Sequence, residues 1–252
     1  MSVTAAELIF YGSASMPEDS STTCGGAIDA TTYVIPDSAS LFNTLNDTVD
    51  YVSSAAGDTS QTVTTYGRNS AGSLVSETKS LNGVTPVAGT TTFERIEKIV
   101  ISASHTGTIT VSRHTGGTAI GSLPTGILTL RRPFYNVSAD ASGGSSRDYY
   151  EKIFSKNTDS TLSLLAAQVA ETANPSGKIT FALATSVNDT ESTANNLTAP
   201  VSVSSFNTTT KNVPGTDLAA GSAIGIWLKL TLAAGDAADK STVTMQTSGQ
   251  TI

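Results

Sequence analysis

The chain has 252 residues, enough for a sizeable hydrophobic core and for one or two domains. Charged residues are 14% of it, against about a quarter in ordinary domains, and Ser, Thr, Ala and Gly fill the gap. A formal net charge of -7 argues against wrapping nucleic acid or docking on anionic lipid, while 38% hydrophobic residues, spaced along the chain, argue against disorder.

Leu8-Ile9-Phe10-Tyr11 is a compact apolar run with strand character, followed by Gly12 and a mostly polar stretch to Thr23 that reads as loop. Tyr33-Val34-Ile35 is a short strand stopped by Pro36. Residues 1–52 therefore read as an N-terminal arm with the first strands, its apolar run packing on something else; a first strand of the core is the competing reading. The start of the chain lacks a basic segment and a long apolar run, so no secretory signal is expected. No window approaches the roughly 18 uninterrupted apolar residues of a membrane span.

Residues 53–145 read as a β-sandwich domain. Its clearest unit is a hairpin over Gln61–Gly83, in which two alternating stretches flank Asn69-Ser70-Ala71-Gly72, a turn of residues tolerant of positive φ. A second hairpin is expected from Thr91–Ser102 through His105-Thr106-Gly107 into Thr108–Ser112, and Ile127–Leu130 is a further strand. Turn signals at such short intervals mark a sandwich or barrel. The Gly/Ser-rich run around Gly143-Gly144 places a boundary near residue 145.

Residues 146–252 read as an Ig-like sandwich of about 100 residues. Tyr149–Asn157 opens it, and Lys178–Ala184 alternates cleanly. Ser163–Glu171 is compatible with a helix, though a strand competes. Ala223–Leu232 is the most apolar strand and aligns Ile224, Ile226, Leu228, Leu230 and Leu232 on one face. A hairpin is expected to close it through Gly235–Asp239 into Ser241–Gln246. Trp227, the only tryptophan, falls on the opposite face. It is either an exposed contact or the second face of a sheet covered on both sides.

The fold expected is all-β: two sandwich blocks, Ig-like or jelly-roll-like, with an extended N-terminal arm.

Few residues invite chemistry. Cys24 is the only cysteine, so no intrachain disulfide forms, and a free thiol or a small buried residue is expected. His105 and His114 each sit beside Thr-Gly and read as surface turn residues. Asp140 and Asp148 flank the Gly/Ser-rich run and Asp236 and Asp239 sit in the expected hairpin turn, but neither stretch matches a calcium-loop pattern. No Gly-x-Ser-x-Gly elbow, P-loop or His-Glu-x-x-His motif occurs. Asn-x-Ser/Thr triplets such as Asn46-Asp47-Thr48 are expected from so Ser/Thr-rich a chain. Neither enzymatic activity, cofactor nor metal is expected.

The stretch Gln61–Val111, with its Gly-x-Asn-x-x-Gly turn, Val75-Ser76-Glu77-Thr78, Leu81–Val87 and Thr106–Val111, resembles β-hairpin modules in structural proteins of tailed bacteriophages. The segment Leu218–Leu230 with Ala233-Ala234-Gly235 is similar to ends of phage virion proteins. Together they cover somewhat more than a quarter of the chain. The resemblance implies a virion structural protein, made in the host cytoplasm and carried in the particle, with a capsid decoration (cement) role first. A tail, neck or head-fibre component, or a receptor- or carbohydrate-binding adhesin module, is the alternative. The partners implied are the major capsid protein or copies of this chain in a homo-oligomer, with no nucleic acid and no membrane. Leu8, Ile9, Phe10, Tyr11 and Trp227 are the candidate interface residues.

Overall fold

A computed structural model describes residues 2–16, 22–35, 45–134, 137, 144–236 and 243–250. The pattern is all-β. Apart from a 3₁₀ turn at Ala5–Glu7, the described residues form strands and connecting loops. In chain order the strands are β1 (Leu8–Ser15), β2 (Cys24–Val34), β3 (Val49–Ser53), β4 (Thr62–Arg68), β5 (Leu74–Ser80), β6 (Val87–Ala88), β7 (Arg95–Ile101), β8 (Ile109–Arg113) and β9 (Ala119–Leu123). They continue as β10 (Thr129–Arg131), β11 (Arg147–Asn157), β12 (Leu165–Ala173), β13 (Ile179–Val187), β14 (Ser192–Thr193), β15 (Lys211–Asn212), β16 (Ala223–Leu232) and β17 (Thr244–Gln250).

The chain divides into two units, residues 1–30 with 136–252, and residues 31–135. This differs from the division expected from the sequence, because the apolar run Leu8–Tyr11 is not an arm. It lies in an inner strand. β1 pairs with β11 from Leu8↔Asn157 to Gly12↔Ile153 and has β2 on its other side. A backbone with partners on both sides has its hydrogen-bonding groups satisfied inside its own unit.

In the first unit the sheet order is β13-β16-β11-β1-β2, with β14 beside the start of β2, and a second sheet runs β15-β12-β17. The layers meet through alternate residues of β11, β13 and β16. Ile153, Ile226 and Leu228 are fully buried on the face where the Ser155 hydroxyl meets that of Thr247 at 2.6 Å. β12 settles Leu165–Ala173 as strand rather than helix, paired along β17.

In the second unit the end of β2 pairs in parallel with β10, and the order continues through β7 and β4 to β5. A second sheet runs β6-β3-β8-β9. Tyr51, Phe93, Ile96, Ile99, Ile109 and Val111 form the fully buried core between layers. Gly121 packs closely there: a Cβ would lie 2.7 Å from Leu130 Cδ2 and push that side chain aside.

The hairpin over Gln61–Gly83 forms as its alternation predicts, in unbroken register from Thr62↔Ser80 to Arg68↔Leu74. Asn69 Oδ1 accepts the amides of Ala71 and Ser73, and Gly72 takes φ +78. The other two expected hairpins do not form. β7 belongs to the sheet with β4 and β10, whereas β8 pairs with β3 and β9 in the other. Likewise β16 pairs with β11 and β13, whereas β17 pairs with β12. Both connections cross between layers, which alternation within each strand does not encode.

Candidate contact surface

β16 is covered on both faces from Ala223 to Leu228, where every residue is buried; beyond that Lys229 and Thr231 are half-buried and polar. Trp227 is fully buried and offers no surface to a partner. It lies on the face that also carries Tyr150, Lys152 and Phe154 from β11, and it packs with Cys24 and Tyr150 against Val203 and Phe206. Cys24 is fully buried, with Sγ donating to the Tyr150 carbonyl at 3.3 Å. Gly25 sits against the indole at φ +96; a Cβ there would come within 2.8 Å of Trp227 and 2.9 Å of the Glu191 carbonyl.

Residues 188–207 form a cap over this face. Its fixed point is Lys152, whose side chain has no exposure. The ammonium donates to the carbonyls of Gly26 and Glu191, each at 3.0 Å, and to the Asp189 carboxylate. It lies 4.9 Å from the Phe154 ring centroid and 5.6 Å from that of Trp227. Burial pushes its pKa down, against the opposing pull of Asp189. A buried cation needs such a complete shell, because an unpaired one costs several kcal/mol.

The cap is tied at further points. Asn188 exchanges two hydrogen bonds with Ala223, one from the backbone amide and one to the side-chain oxygen. The Asn196 carbonyl accepts the Tyr150 amide at 2.7 Å. The Glu191 carboxylate accepts the amides of Val201 at 2.7 Å and Ser202 at 3.1 Å. Held this way, the segment turns Leu197, 48% exposed, and Val201, 87% exposed, outward. Large apolar side chains displayed on a hydrogen-bonded loop make a preorganised contact point, since little entropy is lost when a partner covers them.

The sequence-derived candidates fare differently. Leu8, Ile9 and Phe10 are half-buried within the sheet, and Tyr11 and Trp227 are buried. Leu197 and Val201 were not singled out in the sequence; the signal available was a run of Asn, Ala and Pro interrupted by two branched apolar residues.

The remaining polar candidates act within the fold. His105 is buried rather than a surface turn residue, its ring nitrogens 2.6 Å from the Gly107 carbonyl and 2.9 Å from that of Ile127. Beside it Asp58 accepts the Ser53 hydroxyl and the amides of Thr106 and Gly107, which hold its carboxyl well below the usual range. His114 is exposed and bonds Asp50 at 2.8 Å, which raises its pKa. Asp148 accepts the Thr231 hydroxyl, and Asp236 accepts Lys178 and the Ala233 amide. Asp140 and Asp239 lie outside the described residues. Among the described residues no group of three His, Cys, Asp or Glu side chains is placed to hold a metal ion, and no helix is long and apolar enough to cross a membrane.

No family model matches the chain, and no curated protein matches it. Among solved structures it is similar to one described as a chaperone-tip adhesin complex in CFA/I fimbriae biogenesis, at 10% identity over 83% of this chain and 87% of that one. The TM-score is 0.22, too low to carry an argument.

Proposed function

We propose that this chain is a structural component of a bacteriophage particle, in the first place a capsid decoration protein that stabilises the head by binding capsid subunits. The observation that carries the reading is the rigid cap, which presents Leu197 and Val201 on a loop fixed by Lys152 and Glu191. The hairpin resemblance over Gln61–Val111 supplies the kind of assembly. Weak contacts of this sort gain force by repetition over a symmetric shell, where each bound copy multiplies avidity. A net charge of -7 on a Ser/Thr-rich chain keeps decorated particles from adhering to one another.

The test is co-sedimentation of the purified chain with heads of the phage that encodes it. Saturable binding, weakened by Leu197→Asp together with Val201→Asp, supports the reading. Failure to bind heads, with the chain absent from purified virions, sinks it. Recovery with tails or necks alone would move the chain to the alternative site on the particle.

A further inference from the structure

β5 is the last strand of its sheet, and its outer edge is open among the described residues. The hydrogen-bond alternation shows which groups face outward. Asn69 donates to the Ser73 carbonyl at 3.0 Å and Leu81 to the Gln61 carbonyl at 2.9 Å, with unbroken register between. Odd-numbered residues from 73 to 81 therefore bond toward β4, and the N–H and C=O groups of Leu74, Ser76, Thr78 and Ser80 point away from it. The edge of β13 is handled differently. Phe181 exchanges backbone bonds with Asn207, the Thr185 amide donates to Ser202, and the Ser204 amide donates to Leu183.

Open edges are ordinarily guarded by bulges, proline or an unpaired lysine. β5 has no bulge and no proline over its 7 residues. Its lysine, Lys79, is not unpaired but lies 3.2 Å from Glu77, whose carboxylate also accepts the Thr90 and Thr91 amides. Leu74, half exposed, and Tyr66 on the adjoining strand add apolar area at the same border.

We infer that β5 is a pairing edge for a second copy of this chain, the two strands lying antiparallel about a two-fold axis at Thr78. Three registers, centred on Ser76, Glu77 and Thr78, bring outward-facing groups together over most of the strand; the first sets Glu77 against Val75 of the second copy and gains no charge pair. The register centred on Glu77 sets Glu77 against Glu77 of the second copy, and like charges directly opposite are destabilising. The register centred on Thr78 brings each Glu77, which already faces its own Lys79, opposite Lys79 of the second copy as well, twice by symmetry. It pairs Ser76 with Ser80 of the second copy and Thr78 with its own equivalent. Charge complementarity selects the register centred on Thr78. A two-fold pairing of this kind also closes on itself, leaving neither β5 edge open. The inference stands on the hairpin alone and is independent of any role in a particle.

Sedimentation velocity on the full chain, over a concentration series, tests it. The wild type is expected to dimerise. Thr78→Pro removes an outward N–H without touching the backbone bonds to β4, so the dimer dissociation constant should rise about tenfold or more while circular dichroism is unchanged. Thr78→Cys should form a disulfide between copies on oxidation, because directly opposite Cα atoms lie about 5.5 Å apart. A monomer at the highest soluble concentration overturns the inference. So does a dimer indifferent to Thr78→Pro, an edge occupied instead by a different chain, or a persisting dimer in which the Thr78→Cys variant does not cross-link.

Discussion

Lys152 concentrates much of the first unit's specificity in one atom. Its ammonium joins β2, through Gly26, to two residues of the cap, Asp189 and Glu191. Lys152→Met keeps the bulk but strands the Asp189 carboxylate and the carbonyls without their cation. Unfolding free energy in a urea titration should fall by about 3 to 5 kcal/mol, the usual cost of breaking a buried pair from one side. A change below about 1 kcal/mol would mean that the cap does not depend on this contact. Asp58 in the second unit makes a pH-dependent contribution. Its carboxyl is depressed in the folded state by the donors from Ser53, Thr106 and Gly107. The stability it supplies is therefore complete above the unfolded value of about 3.9 and drains away as pH falls toward the folded value. Asp58→Asn should be less stable than wild type at neutral pH, and the gap should narrow on acidification below about pH 4. His114 has the opposite sign. Asp50 raises its pKa, so the small stability it adds is present below the unfolded value of about 6.5 and is lost as pH rises through the folded one. NMR titration should show His114 above the free-histidine value, and Asp50→Asn should bring it back.

At the scale of elements, the cap carries two of the exposed large apolar side chains, Leu197 and Val201. Glu191→Ala removes the acceptor for the Val201 and Ser202 amides. Hydrogen exchange at those two amides should accelerate while the amides of β11 and β16 keep their protection; unchanged exchange at Val201 would show the loop to be held by other means. Elements of this kind differ in how far sequence reveals them. The hairpin at β4 and β5 was legible because its turn residues and its alternation are local, and Asn69 and Gly72 do what their types predict. The crossings from β7 to β8 and from β16 to β17 were not, because a connection that changes layers has the same local turn chemistry as one that returns to its neighbour. β1 misled for a related reason: a short apolar run beside a long polar loop looks like an arm until its partner β11, far along the chain, is known. Trp227 was legible only as a pair of alternatives, an exposed contact or the second face of a doubly covered sheet, because alternation places it on a face without saying what covers that face. Lys152 drew no notice, since its acceptors at Gly26, Asp189 and Glu191 are distant in sequence; a lysine between Tyr150 and Phe154 on one strand face was the available sign.

At the scale of the whole molecule, two all-β units carry the chain, and the first displays Leu197 and Val201. Substituting Leu197 and Val201 with Asp should leave unfolding free energy within about 0.5 kcal/mol of wild type, as surface changes usually do, while the proposed binding to phage heads should fall sharply. Loss of both together would assign these side chains to the frame rather than to a partner. The proposed decoration role is tested most directly by cryo-electron microscopy of phage particles purified from lysates that contain this chain. The account predicts density for the chain in many copies over the icosahedral shell, with the loop at Leu197 and Val201 seated on capsid subunits. A particle without this chain, or one that carries it with that loop turned to solvent on every copy, would contradict it.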